Sequence, residues 1–260
     1  MQGLDKFREA FATYNNHYVV IGGTACNITM SNTEVRPRAT HDIDMIVIVE
    51  RMTAEFGMRF WDFIKEAGYR PEKRKTGEGE PPRYELYRFV DGKPGYPQMI
   101  ELLSRHSNVF GEPKGLVIEP LLVSEDVSSL SAIVMDEDYY NFTIEHSLLA
   151  DGIRHADATA LIALKARAYL NLLQEKAQGR RINGRDIRKH RTDILKLSIL
   201  LKEDEIDAPE QIVKCIREFV QSLRSDWEVL SQSLSDALER DETFVRLLLQ
   251  KLETSFIRRV

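Results

Sequence analysis

The sequence predicts an α+β domain, a mixed sheet with flanking helices, over residues 1–150, followed by an all-α helical domain over 151–260. Three observations predict this. Short β-branched runs that end in glycine or polar turns fill the first part, as in HYVVIGG and DIDMIVIVE. RYELYRFV and QMIELLS flank the Gly- and Pro-containing DGKPGYP, which is the pattern of a hairpin. From about residue 156 the apolar residues recur at steps of three and four.

The elements follow in order. Leu4, Phe7, Phe11 and Tyr14 keep helical spacing and predict a helix over 3–14. HYVVIGG predicts a strand closing on a glycine turn, TACNITMS a short helix, and NTEVRPRAT a loop. DIDMIVIVE is a strand, with Asp42, Asp44 and Ile46 on one face and Ile43, Met45 and Val47 on the other. Thr53 suits an N-cap and Gly68 a helix stop. Between them Phe56, Phe60, Phe63, Ile64 and Ala67 form an apolar stripe. GLVIEPLLVS, SAIVMD and YYNFTIE read as further short strands. DATALIALKARAYLNLLQEKA, then RDIRKHRTDILKLSILL after a GRRING break, read as helices. PEQIVKCIREFVQSLRSDWEVL carries Ile212, Ile216, Phe219, Leu223, Trp227 and Leu230 on one stripe, and TFVRLLLQKLETSF ends in the same style. Trp61 and Trp227 are expected in cores.

Composition bounds the function. The chain has 260 residues, room for two domains, and 43% apolar with 30% charged residues is ordinary for a soluble protein. A net charge of −5 argues against a globally basic nucleic-acid binder and leaves room for a local basic patch. Cys26 and Cys215 form neither a disulfide framework nor a zinc spacing, so reduced thiols and a cytoplasmic location are expected. MQGLDKFREAF lacks the apolar core of a signal peptide, and no apolar run approaches the ~20 residues of a spanning helix, so no membrane is expected.

The chemistry concentrates between residues 21 and 50, in IGGTACNITMSNTEVRPRATHDIDMIVIVE. Two carboxylates at i and i+2 on a strand share a face about 7 Å apart, where they repel unless something positive sits between them. Magnesium is a hard cation that takes one or two carboxylates plus substrate phosphates, which fits Asp42 and Asp44. Glu101, the one acid in QMIELLS, is the candidate third carboxylate, as a ligand or as a base toward an attacking hydroxyl. Gly22-Gly23-Thr24 follows a strand and opens a helix, where backbone N–H groups can receive a phosphate. Taken alone, Asp-x-Asp is also what an exposed sheet face looks like. The order strand, Gly-Gly, helix, loop, strand, Asp-x-Asp is the more specific signal. His41 points away from the aspartates and is read as packing.

This arrangement resembles the nucleotidyltransferase fold superfamily, and most closely the AbiEii-type abortive-infection toxins. Their R-x-T-x-D-[I/L]-D pattern is similar to Arg38-Ala39-Thr40-His41-Asp42-Ile43-Asp44 here. The resemblance implies a nucleotidyltransferase-like mixed sheet, with Gly22, Gly23, Thr24 and Arg38 at a nucleoside triphosphate. It implies Asp42, Asp44 and Glu101 at magnesium. Eighteen residues, 24 to 41, separate the glycines from Asp42, a longer loop than the fold usually has. It also implies an RNA or protein acceptor and a separate antitoxin protein.

A basic segment lies downstream. Between Lys165 and Lys196 ten Lys and Arg stand against three acids, whereas residues 201–260 hold nine against thirteen. Such a wall suits a triphosphate or an RNA acceptor. Lys165 sits beside Leu161, Leu164 and Ala168 on a packed helix face. His190 and Arg191 interrupt the stripe of Ile187, Ile194, Leu197 and Leu201 and are expected to face a cleft. Lys189 and Asp193 are one turn apart and can pair. The toxin group resembles this run too, which implies roles for Lys165 and Asp193 in catalysis and for Lys189 at the nucleotide.

The sequence thus leads to a magnesium-dependent nucleotidyltransferase that moves a nucleoside monophosphate from a triphosphate to an acceptor hydroxyl, toxin-like in role. The alternatives are a nucleotide- or RNA-binding module that keeps the fold without turnover, and a small-molecule nucleotidyltransferase.

Overall fold

The computed structural model describes residues 3–31, 33–71, 85–104, 133, 136–202 and 205–259. The chain forms two compact units, Met1–Asp126 with Ser147–Ala156, and Val127–His146 with Asp157–Val260. Periodicity places a single boundary near residue 150. Instead the chain crosses between units more than once, because Ser147–Ala156 folds as two strands of the first unit's sheet.

The first unit is mixed α/β. It comprises α1 (Leu4–Phe11), β1 (Tyr18–Ile21), α2 (Gly22–Met30), β2 (Asp42–Val47), α3 (Ala54–Ala67), β3 (Arg70–Pro71), β4 (Glu85–Val90), β5 (Met99–Ser104), β6 (Ser147–Ala150) and β7 (Ile153–Ala156). The seven strands run in the order β3-β4-β5-β2-β1-β7-β6. The β4–β5 hairpin is antiparallel, β2 is parallel to β5 and antiparallel to β1, and β1 is parallel to β7. This puts β2 among the inner strands of the sheet, and its Ile43, Met45, Ile46 and Val47 are buried.

The predicted helix ends in α3 form as expected. Thr53 Oγ1 accepts from the Phe56 N–H, and Gly68 closes the helix at φ 67° with its N–H on the Lys65 carbonyl. An aromatic cluster covers one face of the sheet. Phe7 meets Tyr18 edge-on at 5.4 Å, Phe11 lies 5.3 Å from Phe63, and Phe60 meets Phe89 at 5.8 Å. Tyr18 pairs with Val47, and Phe89 with Ile100, beside Ile43, so this cluster occupies the face opposite Asp42 and Asp44. Each such ring buries roughly 1.5–3 kcal/mol of hydrophobic free energy. The polar end of β2 is therefore held by a rigid backing.

The second unit is built from α4 (Glu137–Glu145), α5 (Ala158–Ala177), α6 (Gly184–Ile199), α7 (Glu210–Ser225), α8 (Trp227–Leu238) and α9 (Glu242–Ser255). It is not purely helical. β8 (Ile206–Ala208) and β9 (Phe256–Arg258) form a short parallel pair.

Three expectations are corrected. YYNFTIE is helix α4 rather than a strand. Asp136 caps it by accepting from the Asp138 and Tyr139 N–H groups, and Tyr139, Tyr140, Phe142 and Thr143 are buried with helical spacing. The single stripe from Ile212 to Leu230 breaks at Asp226 into α7 and α8, and Trp227 opens α8 half-exposed, with the Arg246 guanidinium 4.0 Å above its ring. His41 is exposed just before β2 and does not pack. GLVIEPLLVS and most of SAIVMD lie outside the described residues. Among the described residues no helix is long and apolar enough to cross a membrane.

Candidate functional site

The first unit brings the glycine elbow and the acids together. Asp44 pairs in register with Ile21 of β1, the residue just before Gly22. Gly22 adopts φ 67°, the left-handed region that glycine enters without penalty. A Cβ built there would overlap Asp44 Oδ2, so the Asp44 carboxylate occupies the space that a side chain would need. A Cβ on Gly23 would lie 2.8 Å from Arg38 Nη2 and 2.9 Å from Thr40 Oγ1. A side chain at either glycine would displace a neighbour, a carboxylate at Gly22 and a guanidinium and a hydroxyl at Gly23.

Two tethers fix this elbow to β2 and to the loop before it. Buried Thr24 donates its hydroxyl to the Asp42 carbonyl at 2.5 Å. Asn27 Nδ2 donates to the Gly23 carbonyl at 3.2 Å and to the Arg38 carbonyl at 3.1 Å. The helix that starts at Gly22 has Ile21 at its N-cap, which offers no side-chain acceptor. Its positive end faces a region lined by Asp44 and Arg38, which suits a carboxylate or phosphate oxygen.

Asp42 and Asp44 are both half-buried on one face of β2. The Tyr69 phenol donates to the Pro97 carbonyl at 2.7 Å. Burial, then the nearby Tyr96 and Asp42, push the Tyr69 phenol above its ordinary range. Glu101 of β5 sits directly opposite Asp44, brought there by a parallel pairing of β2 with β5 rather than by the antiparallel neighbour that the sequence suggests. Its carboxylate is already engaged, since Arg88 of β4 donates from Nε and Nη2 to Oε1, each at 2.5 Å. Among the described residues no three His, Cys, Asp or Glu side chains converge as a metal-ligand group. The two aspartates are hard oxygen donors at the polar end of a backed strand, and that donor set suits magnesium, which completes its shell with water and phosphate.

Arg88 went unnoticed in the sequence. It lies in RYELYRFV, out of phase with Arg83 and Glu85 and flanked at i−2 and i+2 by Leu86 and Val90, so no alternation of charge singles it out. The hairpin register reveals it: Val90 pairs with Met99, which sets Arg88 against Glu101.

Lys165, Lys189 and Asp193 belong to the second unit. Asp193 pairs with Lys165 of α5, whose Nζ donates to Oδ2 at 2.8 Å, where the local spacing favours Lys189. The side chains of Lys165 and Asp193 are 1% and 6% exposed. This pair joins two helices, and Lys189 is half-buried on α6. His190 and Arg191 are buried, and Arg191 Nη2 reaches Ser233 of α8 at 3.4 Å. They pack within the helical unit, contrary to the expected cleft-facing role. Burial, aided by Arg188, pulls the Arg191 guanidinium below its usual range.

Among the described residues, two cavities have linings that include none of Asp42, Asp44 and Glu101. One of about 680 Å³ lies at the α8–α9 turn among Asp236, Glu239, Arg240 and Asp241. Another of about 230 Å³ is lined by Arg8, Asn27, Ser31 and Asp151. Comparison with protein-family models, curated proteins and solved structures finds no match to this chain.

Proposed function

We propose that this chain is a magnesium-dependent nucleotidyltransferase with its nucleotide site on the Asp42–Asp44 face. The observation that carries the reading is the seating of the Asp44 carboxylate against Gly22, at the elbow from β1 into α2. It joins the two halves of the sequence motif in one place. In the reaction, the acceptor oxygen forms a bond to the α-phosphorus of a nucleoside triphosphate. The bond from that phosphorus to pyrophosphate breaks, pyrophosphate takes the electron pair, and the hydroxyl proton leaves to base or solvent. Asp42 and Asp44 would hold magnesium, which when bound stabilises charge on the phosphate oxygens. Gly22, Gly23, Thr24 and Arg38 would receive phosphates at the start of α2. Lys165 and Asp193 would hold the helical unit's architecture, and Lys189, with the exposed Arg181, Arg185 and Arg188, gives that unit a basic surface suited to an RNA acceptor. A toxin-like role with an antitoxin partner rests on the family likeness alone, and a cytoplasmic setting rests on the cysteine usage.

The second reading, a module that binds without turnover, is favoured by one observation. A carboxylate placed at a helix N-terminus is stabilised there without any cation, so Asp44 could be a structural acceptor for α2. Incubation with α-labelled triphosphates, magnesium and total RNA or cell protein separates the two. Transfer of label that Asp42→Asn and Asp44→Asn both abolish supports the enzyme. Triphosphate binding with no transfer to any acceptor supports the module.

A further inference from the structure

The registers place three charged side chains in one row across the sheet. Asp44 of β2 is opposite Glu101 of β5, and Glu101 is opposite Arg88 of β4. Register partners share a face, so Arg88 lies on the same face as Asp42 and Asp44. It stands two strand spacings from Asp44, roughly 10 Å at about 4.8 Å per strand. The Arg88 and Glu101 side chains are 34% and 14% exposed. Arg88 is thus partly exposed, and the nearly covered Glu101 carboxylate holds its Nε and Nη2.

We propose that Arg88 is a substrate-binding residue that takes the polyphosphate end of the triphosphate, and that Glu101 is the positioning residue that aims it. The inference rests on the nucleotidyltransferase reading and assigns it a residue that the motif does not contain. Charge supports it. Asp42, Asp44 and Glu101 put three negative charges on one face, which would repel a triphosphate. A divalent cation offsets two of them, and Arg88 offsets the third at the far end of the row. Arg38 supplies a second cation at the opposite end, against Gly23. The guanidinium is a planar fork that binds phosphate oxygens in pairs, and a carboxylate on its Nε edge fixes the plane in which the fork lies. On this account Glu101 acts through Arg88, which explains why its carboxylate is turned to β4 while it stands beside Asp44.

The test is calorimetric titration with inorganic tripolyphosphate and with a non-hydrolysable triphosphate analogue, plus Mn2+ titration of the nucleotide-free protein. Wild type, Arg88→Ala, Arg88→Lys and Glu101→Gln are compared, with circular dichroism as the check on folding. Arg88→Ala is expected to weaken both phosphate ligands by about tenfold or more, the loss of one charge-assisted contact. Arg88→Lys recovers part of that affinity, because it keeps the charge and loses the fork. Glu101→Gln falls between wild type and Arg88→Ala, and Mn2+ affinity holds or rises in both Arg88 variants. If Arg88→Ala does not fold, Arg88→Lys carries the test, and a fork-dependent loss in it supports the proposal. Wild-type phosphate affinity in the Arg88 variants, with only Mn2+ affinity changed, overturns the proposal and leaves the enzyme reading intact. A wild-type protein that binds neither phosphate ligand, with or without magnesium, overturns both.

Discussion

Gly22→Ala is the perturbation that the structure describes most completely. Two separate penalties act at this position. Alanine at φ 67° pays the left-handed cost of roughly 1–2 kcal/mol. Its Cβ also enters the space of Asp44 Oδ2, so the carboxylate must rotate away from α2. The backbone part alone lowers the melting temperature by roughly 2–8 °C for a protein of this size. Gly95→Ala is the control in the same unit, since Gly95 has φ 92° and a Cβ there meets nothing within 4 Å. It carries the backbone penalty without displacing a carboxylate. Thermal unfolding and Mn2+ titration of both variants therefore separate the two effects. Gly22→Ala should lose more stability than Gly95→Ala and weaken Mn2+ by about 10–100-fold, the usual loss when a ligand's support is disturbed. Gly95→Ala should leave Mn2+ affinity unchanged. Equal stability losses and unchanged Mn2+ affinity in Gly22→Ala would refute the seating of Asp44 at the elbow.

Other outcomes follow from the second unit and from α3. Lys165→Met leaves Asp193 buried without its cation and should destabilise by roughly 3–5 kcal/mol, whereas Lys165→Met with Asp193→Leu should recover most of it in urea unfolding; equal losses in the two would contradict the pairing. Thr53→Ala removes the N-cap of α3 and should cost about 1 kcal/mol, and an unchanged urea midpoint would contradict the cap. Burial pushes the Cys215 thiol from 9.0 up to about 11. The folded state therefore holds that proton more tightly than the unfolded chain. Its stabilising effect is complete below pH 9.0 and is lost as pH rises toward 11. Cys215→Ala should flatten that part of the stability curve, and an unchanged slope would contradict the burial.

Much of the first unit was legible because local rules and tertiary demands agree there. Thr53 and Gly68 mark α3 by capping chemistry alone, and the alternation of β2 separates its two aspartates from the core. The position of Glu101 beside Asp44 was legible only as a candidate. Its register depends on a parallel pairing that no local rule sets. Arg88 was missed for a related reason. The connection of residues 91–98 is too long for turn type to fix the hairpin register, so Arg88 and Glu101 could not be matched from sequence. YYNFTIE misled through its aromatic and β-branched residues, whose strand preference yields to packing and to the Asp136 cap. Asp193 misled through proximity: Lys189 is four residues away, yet the partner in space is Lys165, twenty-eight residues back. The break at Asp226 carries no glycine or proline, and its one sequence signal is an aspartate at the N-cap of α8.

The central claim is that Asp42 and Asp44 together hold a divalent cation at the glycine elbow. Electron paramagnetic resonance titration with Mn2+ reads this directly, without an acceptor or a reaction. The account predicts one saturable site in the wild-type protein, weakened at least about tenfold by Asp42→Asn and by Asp44→Asn alike. Mn2+ bound equally well by both variants and by the wild type would contradict it.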